Sequence, residues 1–190
     1  MPRLRPLAIA GVVEIVPERH GDARGFLSEV WSASAFAAAG LDIAFVQDNH
    51  SRSEAAGVLR GLHYQVAPFA QAKLVRVVRG AIFDVAVDLR PASPSFGRWA
   101  GLEISAAAWN QIFLPAGCAH GFVTLEPGTE VLYKVSAPYS PGHERTIRYD
   151  DPDIAIAWPG AAAGFTLSDK DRVAPSFAEA RRDLADHGGA

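Results

Sequence analysis

Cysteine and methionine are nearly missing from this chain, with one of each among 190 residues. A single thiol, Cys118, excludes an intrachain disulfide framework and suits a reducing compartment. Surplus positive charge is also missing: 18 Lys and Arg stand against 21 Asp and Glu, a net charge of −3. No overall field therefore draws the protein toward nucleic acid or an anionic bilayer. No run approaches the roughly 20 apolar residues of a membrane helix. The opening residues are too soon followed by Glu14 and Glu18 to read as a secretory leader. A cytoplasmic protein with no membrane and no nucleic-acid partner is the expectation. Repeats, linkers and low-complexity tracts are lacking too, so the reading is one domain over 1–190. Its core spans about 10–175, with a C-terminal helix and tail at 176–190.

Turn chemistry and alternation are what the chain has in quantity. Its 17 glycines and 13 prolines provide for many chain reversals. Residues 74–79, then Gly80, then 81–89 read as two strands around a tight turn. Residues 99–104, 111–114, 121–125 and 129–136 continue the series. Short, regularly punctuated strands favour a sandwich or barrel over βαβ units. Two segments read as helices. Residues 32–39 are alanine-rich, with serines for the N-cap and Gly40 as the stop. Near the end, Ser176 and Glu179 have capping-box spacing, and 187–190 should fray.

The chemistry gathers around His63, Lys73 and His120, the last in Pro115-Ala-Gly-Cys-Ala-His120. Their spacing resembles the two motifs of the cupin superfamily, small jelly-roll barrels whose mouth often holds a metal. The resemblance implies an all-β, cupin-type jelly-roll barrel with a few short peripheral helices. In metal-binding cupins the first motif carries His-x-His and then a glutamate. Here Gln65 replaces the second histidine and Lys73 stands in the glutamate's place. An ammonium has no lone pair to offer and repels a cation, so no metal is expected. Lys73 is instead suited to stabilise an oxyanion.

Other residues enter with competing readings. A lone strand histidine is usually a packing or surface residue, and His20, His50, His143 and His187 are read so. Alternation puts Val131, Tyr133 and Val135 on one face, where the Tyr133 phenol is either satisfied by backbone or offered as a proton donor. Arg24 and Arg60 suit a diphosphate, although a regular strand would put Arg60 and His63 on opposite faces. A bulge at Gly61 would bring them together. A basic histidine needs a carboxylate behind it, and Asp171, Asp84 and Asp88 are the candidates. Asp84 and Asp88 lie opposite Phe83, Val85 and Val87, so solvent exposure is the plain expectation for both.

Longer segments carry a closer resemblance. Residues 21–26, 45–51, Leu59-Arg-Gly-Leu-His63, Gln71-Ala-Lys-Leu-Val-Arg76, 78–90, 115–122, Glu130-Val-Leu-Tyr-Lys-Val135 and Leu167-Ser-Asp-Lys-Asp171 together resemble the dTDP-4-dehydrorhamnose 3,5-epimerase family. The resemblance implies double inversion, at C3 and C5, of a dTDP-4-keto-6-deoxy sugar without a cofactor. His63 would be the base, Asp171 its partner, Tyr133 the acid, and Lys73 and His120 contacts to the reacting sugar. Arg24, Glu29, Gln47, Asn49, Arg60, Glu144 and Lys170 fall on nucleotide- and substrate-binding positions, and Tyr139 on the ring that stacks against thymine. Arg24 and Glu29 would reach a neighbouring subunit's site, which implies a homodimer. Cys118 and Tyr64 depart from the phenylalanines expected there, with no loss of a chemical group. The alternatives are a single-centre epimerase or ketoisomerase, a metal-dependent cupin oxygenase, and a non-catalytic sugar-nucleotide-binding cupin.

Overall fold

The structure is a computed structural model that describes residues 2–160 and 164–186. His187 and the expected fraying of 187–190 lie outside the described residues. The period-two segments form two antiparallel sheets. The first has six strands in the order β1 (Arg3–Pro6), β2 (Val13–Val16), β10 (Gln111–Leu114), β7 (Lys73–Arg79), β12 (Thr129–Val135) and β5 (Gln47–Ser53). The second has five, β13 (Glu144–Thr146), β6 (Leu59–Gln65), β11 (Cys118–Thr124), β8 (Ala81–Asp88) and β9 (Trp99–Ser105). A small ribbon of β3 (His20–Asp22) and β4 (Gly25–Leu27) forms a separate pair.

Strands β7 and β8 are present as read, but they do not pair with each other. Strand β7 lies between β10 and β12, whereas β8 lies between β11 and β9. Gly80, at φ +78°, carries the chain from one sheet into the other. A Cβ there would sit 2.3 Å from Thr129 Oγ1, so the corner requires glycine. Alternation identifies a strand, but its neighbours are chosen by sequence far away.

Between the sheets lie Val75, Val77, Ile82, Ile104, Ile112, Leu114 and Val131, the barrel's interior. The five-stranded sheet is covered on its other face as well. There Leu62, Val85, Val87, Ala119 and Val123 pack under Ile154, Trp158, Phe177 and Leu184. Strand β8 is therefore buried on both sides, and the expectation of solvent-facing Asp84 and Asp88 is wrong: each is 0% exposed. The face carrying Ile82, Asp84, Ala86 and Asp88 looks into the barrel, and the C-terminal segment covers the opposite face. Asp88 is held by Arg90, Ser93 and Ser95, away from the site described below.

The helices form where the caps indicate. Ser32 caps α1 (Ala33–Ala38) and Gly40 ends it at φ +90°. Phe36 packs α1 against Trp31 on the outer face of the six-stranded sheet. In α3 (Phe177–Asp186) the capping box is reciprocal. The Ser176 amide donates to Glu179 Oε2 at 2.8 Å, and the Glu179 amide donates to Ser176 Oγ at 3.3 Å. Phe177, Ala180 and Leu184 share the buried face. Each large side chain buried there stabilises by about 1.5–3 kcal/mol.

Candidate active site

Strand β6 brings its functional residues to the barrel mouth through an irregularity. His63 pairs with His120 and Arg60 with Phe122, so β6 has one more residue than β11 between the two pairs. This is the bulge that the Arg60–His63 conflict called for. Gly61, at φ +127°, is its centre, and a Cβ there would come 2.5 Å from Gly121 Cα. As a result Arg60 and His63 line the same cavity.

That cavity measures about 410 Å³ and is walled by Arg60, His63, Lys73, His120, Tyr133 and Asp171, among others. A second hollow of about 270 Å³ shares His63, Lys73 and Tyr133 with the first. It continues to Gln47, Asn49, Gln71, Tyr139 and Glu144. The three shared residues stand at the junction of the two lobes.

His63 and Asp171 meet across more than a hundred residues of sequence, at 2.6 Å between Nε2 and Oδ1. Backbone pairing makes this possible: Thr166 accepts from the Leu59 amide and donates to the Gly57 carbonyl. That anchor sets α2 (Asp169–Arg172) beside β6. Ser168 caps α2, and its hydroxyl also donates to Asp171 Oδ2 at 2.8 Å. Burial opposes charge on Asp171, but the bonds from His63 and Ser168 outweigh it and hold the carboxyl below its ordinary range. A carboxylate accepting from Nε2–H leaves Nδ1 as the basic nitrogen of His63. Asp169, its neighbour in the motif, is exposed.

His120 makes a matching bond to Asp84, 2.8 Å between Nε2 and Oδ2. Burial, with Lys73 and His63 nearby, pushes the imidazole below its ordinary pKa and so favours the neutral ring, although Asp84 favours the charged form. Lys73 on β7 is itself buried, and burial lowers its pKa to about 8 against the pull of Asp84 and Glu144. The Tyr133 phenol is raised, chiefly by burial. Its hydroxyl finds no hydrogen-bond partner among the described residues, so the backbone-satisfied reading is not the one realised. The thiol of Cys118, on the barrel-facing side of β11, is pushed up to about 12 by burial, which makes it a poor nucleophile.

In the second lobe Tyr139 is exposed and donates from its hydroxyl to Glu144 Oε2 at 2.9 Å. Glu144 also pairs with Lys170 at 2.6 Å. Arg24 and Glu29 are not brought to this site. Arg24 lies on the β3–β4 turn, 90% exposed and bonded to Asp22, and Glu29 is exposed on the segment that follows β4. Sequence reasoning missed Ser168 and the hydrogen bonds that Gln65 and Gln71 make to backbone. The Ser168–Asp171 spacing is a capping-box signal that could have placed α2.

A metal does not fit these residues. Each imidazole gives Nε2 to a carboxylate, an ammonium shares the cavity, and the Gln65 amide bonds to backbone. Among the described residues no group of three or more His, Cys, Asp or Glu could hold an ion.

A jelly-roll barrel with a carboxylate-backed imidazole, a phenol and an ammonium around one cavity defines a cupin-type enzyme equipped for proton transfer. Residues 6–179 match the family model described as dTDP-4-dehydrorhamnose 3,5-epimerase, and the chain belongs to that family. The dTDP-4-dehydrorhamnose 3,5-epimerase of Pseudomonas aeruginosa is 51% identical over 175 residues, covering 92% of this chain and 95% of its own. The crystal structure of a Legionella pneumophila dTDP-6-deoxy-D-glucose-3,5-epimerase in complex with dTDP-4-keto-L-rhamnose is 42% identical, with a TM-score of 0.87 and 93% of each chain covered. A 3'-monoepimerase from Streptomyces bikiniensis, in complex with dTDP-quinovose, is 38% identical with a TM-score of 0.86, covering 94% of this chain and 89% of its own.

Proposed function

We propose that this chain converts dTDP-4-dehydro-6-deoxy-D-glucose to dTDP-4-dehydro-L-rhamnose by inverting C3 and C5. The observation that carries the reading is the His63–Asp171 pair sharing a cavity with the Lys73 ammonium and with the Tyr133 hydroxyl, which has no hydrogen-bond partner among the described residues. Protons at C3 and C5 are acidified by the C4 ketone between them. His63 removes one, and the electron pair moves to the C4 oxygen as an enolate. Lys73 stabilises that oxyanion, with neutral His120 beside it as a hydrogen-bonding neighbour. Tyr133 returns a proton to the opposite face; His63 then releases its proton to solvent and the Tyr133 phenolate takes one up, which resets both groups for a second cycle at the other carbon. No redox cofactor and no metal is required.

The reacting sugar occupies the lobe bounded by Asp171, and the nucleotide extends along the lobe bounded by Tyr139. There the aromatic face stacks on the base, near Gln47, Asn49, Glu144 and Lys170. Arg60 serves the diphosphate. Arg24 and Glu29, remote from the cavity of their own chain, complete the site of a second copy in a homodimer. The chain works as one domain in the cytoplasm without a nucleic-acid partner; among the described residues no helix is long and apolar enough to cross a membrane.

Incubation with dTDP-4-dehydro-6-deoxy-D-glucose in D2O, followed by NMR, tests the reading. Deuterium at both C3 and C5 with formation of the L-sugar is expected, at a rate unchanged by chelator. Label at one carbon alone would indicate a single-centre epimerase, the activity of the Streptomyces relative. Binding without exchange would reduce the protein to a sugar-nucleotide carrier.

A further inference from the structure

Three glutamines converge on one short strap of backbone. Gln71 Nε2 donates to the Ala137 carbonyl at 2.8 Å, and Gln65 Nε2 donates to the Pro138 carbonyl at 3.1 Å. The Tyr139 amide donates to Gln47 Oε1 at 3.0 Å, and the Ser140 amide donates to Gln65 Oε1 at 2.8 Å. Four consecutive residues are thus each tied by a backbone group to a side-chain amide from another part of the barrel. Gln65, at the centre, also donates to the Phe69 carbonyl at 2.7 Å and is 6% exposed. The strap's backbone is fixed while Tyr139 stays exposed at the lobe.

We propose that Gln65, assisted by Gln71, is the positioning residue for nucleotide binding: it holds the strap so that the Tyr139 ring is set for the base before ligand arrives. This deepens the function proposed above and rests on it. A ring on a loose loop must lose conformational freedom on binding, and one on a pinned loop has already done so. The chemistry also explains why a neutral amide occupies this place. Gln65 must donate to carbonyls and accept from an amide at once, which neither an imidazole nor a carboxylate does in this arrangement. The position that breaks the His-x-His pattern therefore serves the nucleotide lobe, next to the residue that serves the sugar.

The test compares wild type with Gln65→Glu, near-isosteric but ionisable. At pH 8 the introduced carboxylate faces two carbonyls and cannot donate to them. The Kd for dTDP and the KM for the sugar nucleotide should each rise about tenfold, the effect of losing one to two such bonds. The kcat should stay within about twofold, since the bound sugar meets unaltered His63, Lys73 and Tyr133. Toward pH 6, protonation restores a donor, and the deficit relative to wild type should shrink. Gln71→Leu removes one peripheral bond and should give a smaller rise in Kd with kcat retained, which keeps the test available if the first variant folds poorly. An unchanged Kd, a deficit that ignores pH, or a loss falling on kcat would assign the glutamines to general packing and overturn the proposal. Wild type that neither binds dTDP nor turns over would refute the function itself, a distinguishable result.

Discussion

His63 and His120 are cross-strand partners on β6 and β11, and each bonds a carboxylate through Nε2, yet their surroundings differ. The His63 side chain is 30% exposed and stands where the two lobes meet, and its carboxylate comes from a short helix anchored beside the mouth. The His120 side chain is 8% exposed, and its carboxylate projects from a strand with no exposure at all. The more exposed imidazole is open to both ligand and solvent. The other is kept neutral by burial and by the cation beside it. In the function proposed above, the same pair of residue types serves as a base in one setting and a fixed hydrogen-bonding group in the other, and burial makes the difference.

The comparison breaks most directly at His63. His63→Ala should reduce kcat by about 10³–10⁴-fold, near the top of the range for positioned proton transfer, while dTDP still binds. His120→Ala should cost about 10–100-fold, since it removes a hydrogen-bonding neighbour and not the base. Single-turnover rates with a dTDP titration measure both. Equal losses at the two histidines would end the distinction.

Lys73 sharpens it next, since its charge is coupled to the His120–Asp84 pair. Lys73→Met should lower kcat by about 10²–10³-fold through loss of oxyanion stabilisation. The ammonium is present below its pKa of about 8 and lost as pH rises through it, so wild-type kcat/KM should fall on the alkaline side. The variant should lack that limb. Tyr133→Phe follows, with a loss of about 10²-fold in inversion. Deuterium exchange at the substrate carbon should persist, because His63 can both remove a proton and return one to the same face.

Much of this was legible in the sequence, and the failures have physical causes. The conflict between Arg60 and His63 could be read from alternation alone, and Gly61 was the residue able to resolve it. Tyr133 was assigned to the correct face by the same rule. The exposure of Asp84 was misread because it depends on what covers a strand from elsewhere in the chain: residues some seventy to a hundred positions downstream cover the Val85–Val87 face of β8, which leaves the Asp84 face to the barrel interior. Asp171 could not be chosen over Asp84 from spacing, because both carboxylates do meet a histidine. The strap at 137–140 was invisible because its ties join backbone groups to glutamines from separate segments.

The smallest expected effect probes the buried pair itself. Asp84 accepts from His120 with one oxygen, and its other oxygen has no hydrogen-bond partner among the described residues. Its charge also favours the protonated form of Lys73. Asp84→Asn keeps an oxygen for His120 and removes that charge, so Lys73 should release its proton more readily. The alkaline limb of kcat/KM should move to lower pH, while activity well below the limb stays within about tenfold of wild type. Stability should fall by about 1–3 kcal/mol, because the new amide N–H must find a partner where none stands now. The opposite substitution, Asp171→Asn, should leave the limb in place and lower kcat at every pH, since it acts through His63. A limb that moves equally in both variants would mean that the two carboxylates serve one shared charge network rather than two imidazoles with separate tasks.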